Sequence, residues 1–202
     1  MSGVPLSVRL PRATRELHAR AERAGVMRRL LEGRLERARY VRFLASLHAI
    51  YDALEAALAE DRVRAVAPMP ALRRAEALRR DLEDYGSDPR SAQPERAAVD
   101  YASRLAQLAR EDPALVAAHA YVRYLGDLSG GQILRNIVER RLAPGPGRGV
   151  AFYNFGGEDD VDRAKASIRD ALDALPAASH DAVVAEARGA FVRHVDLFEA
   201  LA

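Results

Sequence analysis

The segment from Tyr121 to Leu134, YVRYLGDLSGGQIL, limits what this chain can fold into more than any other. Helical spacing runs through it from both sides, yet Gly126, Gly130 and Gly131 fall close together within it. Inside a helix each glycine costs roughly 1 kcal/mol relative to alanine. In exchange the backbone loses its Cβ atoms, so a second body can approach it closely. A helix loosened over one turn bends, and Asp127 stands in the bend. The pattern predicts a helix that covers a flat or bulky ligand, with one acid aimed into the pocket.

Around this segment the apolar residues recur at helical spacing almost everywhere, and no period-2 strand is evident. Tyr40, Phe43, Leu44, Leu47, Ile50, Tyr51, Leu54 and Leu58 form the clearest stripe. A first helix is predicted to start between Ser7 and Pro11, with the proline in its first turn, and to stop before Gly25. Further helices are predicted over 26–32, 36–61, 71–85 and 95–110. The glycine-bearing helix is expected to start at Asp112-Pro113 and reach Leu142, and two more cover 158–175 and 179–201. Pro68, Pro70 and the run Pro144-Gly145-Pro146-Gly147 are breakers, 87–94 reads as a loop, and 152–155 is a short aromatic segment. With no internal repeat and no long linker, the expectation is one all-α domain spanning 1–202.

Composition removes several chemistries. The chain has no cysteine, which excludes disulfides, thiolate metal sites and a cysteine nucleophile. Its 31 basic and 29 acidic residues leave a net charge of only +2. They are interspersed, without the dense basic tract that nucleic-acid binding requires. No stretch approaches the apolar length of a membrane span, and the first ten residues lack the apolar run of a secretion signal. The expectation is a cytoplasmic protein with no nucleic-acid partner and no membrane anchor.

Of the five histidines, His18 has the most suggestive surroundings. Ala19 and Ala21 leave room beside it, and Glu22 lies one turn on, on the same face. A carboxylate there can take one ring N–H and raise the basicity of the other nitrogen as a metal ligand. The same pair also reads as an ordinary surface contact. No second histidine stands at chelating distance, so a closed zinc site is disfavoured. One imidazole opposite a glycine-lined face suits a planar porphyrin, whose iron needs a single strong axial ligand. Propionates would need cations. Arg15 lies a turn before His18, and Lys165, the sole lysine, pairs with Arg169 at i,i+4, although all three read equally well as solvated charges.

The run Ala118-His119-Ala120-Tyr121-Val122-Arg123-Tyr124-Leu125-Gly126-Asp127-Leu128-Ser129-Gly130-Gly131-Gln132 closely resembles the signature of the haem oxygenase family. The stretches Ala13–Glu22, Ala45–Tyr51 and Gly149–Tyr153 fit the same family in order. The resemblance implies haem sandwiched between a proximal helix and a kinked distal helix. It makes His18 the axial iron ligand, with Glu22 as its partner. Gly126, Gly130, Ser129 and Gly131 would pack along the haem face. Asp127 would anchor distal water, supported by Arg123 and Tyr51. Tyr121, Arg15, Lys165 and Arg169 would serve the propionates, and Phe191 and Phe152 would line the pocket. Two positions depart from the family pattern, Pro11 on the first helix and Val122 in the signature.

The implied activity uses haem b as both cofactor and substrate. O2 and electrons from a ferredoxin, a flavin reductase or an NADPH-dependent reductase would yield biliverdin, of the IXα isomer, with CO and Fe2+. No flavin or nicotinamide fingerprint is present, so the electrons come from a partner, and biliverdin passes to an acceptor. Two other readings stay open on the residues alone. One is a haem-binding or storage protein without turnover. The other is a helical scaffold whose glycines merely let helices pack.

Overall fold

In a computed structural model, which describes residues 3–88 and 92–202, all regular structure is helical. Ten α-helices follow one another: α1 (Leu6–Glu22), α2 (Gly25–Leu31), α3 (Arg37–Ala59), α4 (Asp61–Val66), α5 (Arg74–Asp84), α6 (Arg96–Glu111), α7 (Val116–Ala120), α8 (Gly126–Arg141), α9 (Glu158–Asp173) and α10 (His180–Ala200). A π-helical turn, Tyr121–Leu125, joins α7 to α8, and short 3-10 turns occupy Pro113–Leu115, Ala151–Tyr153 and Ala177–Ser179. Residues 89–91 of the expected loop lie outside the described residues.

The stripe on α3 is the spine of the core: Tyr40, Leu44, Leu47, Ile50, Tyr51 and Leu54 are almost fully buried. α5 and α6 pack against it, while α10 lies along α1 and also touches α2, α6 and α7. Ten consecutive residues from Leu115 to Tyr124 are buried. A helix apolar all round belongs in the middle of a protein, and this segment carries the signature through the centre. Gly25 brings α2 onto the end of α10. With φ +25°, a Cβ at this position would stand 1.8 Å from the Phe198 carbonyl oxygen, so no other residue fits.

Three helix boundaries differ from the sequence prediction. α1 begins at Leu6, which puts Pro11 inside the helix in its second turn. The long helix breaks at Glu60, where ψ turns to 135°, and resumes as α4. α5 begins at Arg74, not Ala71, because Arg73 is held left-handed at φ 52°.

The cause is shared by several helix starts: the exposed first-turn N–H groups are satisfied from another element. Asp173 of α9 accepts from the Ser7 N–H at 2.7 Å and from its hydroxyl at 2.6 Å. Glu55 of α3 accepts from the N–H groups of Arg74 and Ala75. Ser46 of α3 accepts from the Glu95 N–H at 2.9 Å. Asp81 of α5 accepts from Ala151 and Phe152 at 2.7 and 2.8 Å, and burial pushes its carboxyl up to about 6.

Candidate active site

The segment flanking the glycines and helix α1 form the opposing walls of a cleft, with α10 along its side. The cleft has two adjoining chambers of about 290 and 390 Å³, and both are lined by His18, Val122, Gly126, Ser129 and Phe191. This is the size range of sites that enclose a cofactor-sized ligand.

His18 stands on the α1 wall. Its side chain is 51% exposed and makes no hydrogen bond among the described residues, with the ring edge-to-face against Phe191 at 5.7 Å. Nδ1 faces Glu22 Oε1 at 3.7 Å, beyond hydrogen-bond range but within reach of a rotamer adjustment. Nε2 is thereby the nitrogen left for the cleft. An exposed imidazole beside a carboxylate has the right donor chemistry for an axial iron ligand.

Opposite, the glycines divide into two kinds. A Cβ built on Gly126 or Gly130 meets no atom within 4 Å, and both positions line the cleft. A Cβ on Gly131 would stand 3.3 Å from the Phe155 ring. Gly126 and Gly130 therefore hold space open for a ligand, whereas Gly131 lets an aromatic side chain close in behind the helix. Gly131, which the resemblance places along the haem face, lines neither chamber in this structure. Helix α8 itself is regular: Gly126 has φ −61° and ψ −50°. The distortion expected at the glycines lies one turn earlier, in the π turn Tyr121–Leu125. Such turns insert an extra residue into a helix, frequently at functional sites.

Asp127 lines the inner chamber, and its side chain is only 12% exposed. Arg123 Nη2 donates to its Oδ1 at 3.1 Å, while Arg123 Nε donates to the Tyr51 hydroxyl at 3.1 Å. Tyr51 also lies under the guanidinium, 5.0 Å from its ring centroid. Burial pushes the Asp127 carboxyl well above the ordinary carboxylate range and brings Arg123 down to about 10, still a cation at neutral pH. The unit is a clamped carboxyl with restricted water access, suited to binding a water and exchanging a proton with it.

The outer chamber is the cationic one. Arg15 and Arg169 line it, with Tyr121 held by a 3.1 Å hydrogen bond to Thr14. Neither arginine makes an ion pair among the described residues, so both are available to an incoming anion. Lys165 lies one turn before Arg169, half-buried, and lines neither chamber. Phe152 is not in the cleft. It is 2% exposed, packed edge-on to Tyr51 at 5.5 Å, and its role is to support that tyrosine from behind.

His194 carries no mark in the sequence that points to a site. On α10 it follows Phe191 by three residues and precedes Phe198 by four, and all three line the inner chamber. A histidine on an apolar stripe is indistinguishable in sequence from a core residue. Met27, Leu31 and Leu134 complete the apolar lining. No helix of the described residues is long and apolar enough to cross a membrane, and no cluster of three metal-ligating side chains is present among them.

A family model described as heme oxygenase matches residues 4–200. Heme oxygenase 1 of Gallus gallus is 38% identical over 205 residues, covering 97% of this chain and 69% of the relative. The solved structure of heme oxygenase-2 from Synechocystis, in complex with heme and NO, superposes with a TM-score of 0.90 at 35% identity, covering 98% of this chain and 85% of that one. Heme oxygenase-1 from the same cyanobacterium, in complex with heme, superposes with a TM-score of 0.86 at 35% identity, covering 96% and 91%. A cleft walled by one free imidazole and two open glycine positions, on a chain matched over nearly its whole length, belongs to a member of the haem oxygenase family.

Proposed function

We propose that haem enters the cleft with its iron on His18 Nε2 and its propionates toward Arg15 and Arg169, as cofactor and substrate of the chain's oxygenase activity. The observation that carries this reading is the pairing of an unbonded imidazole with Gly126 and Gly130 across one slot. When bound, haem supplies the iron that activates O2 and the macrocycle that is opened to biliverdin, CO and Fe2+.

The chain's own residues position, shield and move protons. Gly126 and Gly130 let the α8 backbone lie against the ring, leaving space only toward one edge. Asp127, clamped by Arg123, holds water in the inner chamber and passes protons to the reacting oxygen, and it keeps that water from spreading along the apolar lining. Arg15, Arg169 and Tyr121 fix the in-plane rotation, with Lys165 reaching in from the next turn. This selects the α edge and the IXα isomer.

Electrons come from an external donor, a ferredoxin or an NADPH-dependent flavin reductase, and the product passes to a biliverdin acceptor. Where the inner chamber opens, Leu31 and Ile133 are 41% and 61% exposed, and Leu31 continues into a groove lined by Glu32, Arg140 and Arg141, with the cations in excess. An apolar patch edged by cations suits an acidic redox partner. The cytoplasm, where such donors reside, is the proposed location.

Hemin titration followed by reductant-driven turnover tests the reading. The expected result is a 1:1 complex that yields CO and biliverdin. A stable complex that yields neither would identify a storage protein instead.

A further inference from the structure

Behind the glycine wall the chain runs through Gly149–Phe155 as a strap along α5, antiparallel to that helix. Asp84, at the end of α5, accepts from the Gly149 N–H at 2.8 Å. Asp81, one turn earlier, accepts from Ala151 and Phe152. Arg74, at the start of the helix, holds the far end of the strap. Its Nη1 donates to the carbonyl oxygens of Phe152 at 3.2 Å and Asn154 at 2.7 Å. Its guanidinium also lies over the Phe155 ring, 4.5 Å from the centroid. The backbone leading into Arg74 is strained. Arg73 is the only non-glycine residue with a left-handed backbone among the described residues, at φ 52°. Such a conformation is unfavourable for a residue with a Cβ and persists where its surroundings over-determine it. Here Glu55 of α3 accepts from the Arg74 and Ala75 N–H groups, and Arg74 Nε donates to the Leu72 carbonyl at 2.9 Å.

The strap meets the site in two places. Phe155 stands against α8, where a Cβ on Gly131 would come within 3.3 Å of its ring. Gly131 adjoins Gly130 and follows Asp127 by one turn. Phe152 backs Tyr51 edge-on at 5.5 Å. Tyr51 in turn meets two residues of the π turn, Arg123 through its hydroxyl and Tyr124 through stacked rings at 6.1 Å. Arg74 itself lines neither chamber, so its influence on the cleft runs through these contacts.

We propose that Arg74 is a positioning residue for the oxygenase site. By gripping the strap it presses Phe155 on Gly131 and Phe152 on Tyr51, and so sets where the Gly126–Gly130 backbone and the Arg123–Asp127 clamp stand relative to His18. Reacting groups keep a productive geometry only when their neighbours are locked by packing and hydrogen bonds. This role rests on the haem reading of the cleft, but its first test needs no haem.

Amide hydrogen exchange on the haem-free full chain reads the coupling. Arg74→Met keeps the stem and loses the donors and the charge. Exchange should quicken roughly tenfold, the equivalent of one lost hydrogen bond to a charged group, over 121–131 as well as over 149–155. Helices α1 and α10 should keep wild-type protection. Arg74→Lys, which retains the charge and one donor, should fall between. A change confined to the strap, or an equal change in every helix, overturns the proposal. Should Arg74→Met not fold, Arg74→Lys takes its place in each comparison. Combining the Arg74 change with Phe155→Leu should leave exchange over 126–131 no faster than in the faster single variant, because both break one path. Additive effects overturn the proposal. The second test is single-turnover biliverdin formation per bound haem, at a temperature where every variant is folded. Misplacing a reacting group costs rate more than affinity, so Arg74→Met should lower the rate by about tenfold and weaken hemin binding less. A rate equal to wild type overturns the proposal. Failure of hemin to bind the wild-type chain at all would instead overturn the haem reading, and the exchange pattern alone would then decide whether Arg74 holds the wall.

Discussion

Arg123 and Asp127 form a buried ion pair one helical turn apart, with 3.1 Å between Nη2 and Oδ1, in the segment where the π turn passes into α8. The pair couples stability to chemistry. Removing one member of a buried pair costs about 3 kcal/mol or more, because the other charge stays behind without its partner. Asp127→Ala is therefore expected to melt earlier and to lose biliverdin formation by roughly 100-fold or more. Asp127→Asn keeps an acceptor for Arg123 but not the countercharge, so it should recover part of the stability but not the rate. Thermal melting beside single-turnover product analysis checks both. An alanine variant that forms biliverdin at the wild-type rate removes Asp127 from the mechanism.

His18 makes no hydrogen bond among the described residues, so its loss should be nearly silent for folding. His18→Ala is expected to keep the wild-type melting temperature and to lower turnover by about 100-fold. The haem spectrum should change with it, and added imidazole should restore the spectrum. An unchanged spectrum would assign the axial ligand elsewhere.

The two kinds of glycine predict opposite results. Alanine at Gly126 or Gly130 meets open space in the haem-free protein and should raise its stability by about 0.5–1 kcal/mol. The same Cβ should weaken hemin binding, since it occupies the space of the ring. Alanine at Gly131 presses on Phe155, so it should lower stability and affect hemin binding less. Melting curves with and without hemin separate the cases, and equal behaviour at all three positions contradicts the division.

Arg169 lines the outer chamber without an ion pair among the described residues, and Lys165 lies one turn before it. Replacing both with alanine should shift the ratio of biliverdin isomers by about five-fold, the equivalent of one exposed charge contact. The total rate should fall less. Product chromatography reads the ratio, and an unaltered ratio would take both residues out of propionate recognition.

Glu186 governs acid stability. Its hydrogen bond from His119, together with that from Arg104, lowers its carboxyl to about 2. A carboxylate favoured in the folded state stabilises above its unfolded value near 4.5, and that contribution is lost as the pH falls toward about 2. Glu186→Gln should be less stable at neutral pH by about 2 kcal/mol and should lose less stability between those limits. Parallel slopes for the two proteins in denaturant melts across that range would refute the assignment.

The sequence by itself determined the helices and most of the chemistry. Apolar spacing set which faces are buried, and Gly25, Gly33 and Pro144 marked real ends because their backbone constraints act locally. Gly126, Gly130 and Asp127 stood out because glycines weaken a helix, and His18 because Glu22 follows it by one turn; the structure brings all four to one cleft. Tertiary structure decided what depends on distant partners. The starts of α1, α5 and α6 rest on Asp173, Glu55 and Ser46, each supplied by another helix, so no local cap announced them. Gly131 shares its motif with cleft residues and Phe152 was assigned by the same resemblance, but both face the packed side, and His194 sits on an apolar stripe yet lines the cleft. Periodicity specifies the face of a helix, whereas only the packing of neighbouring helices specifies whether that face meets a side chain or an open slot.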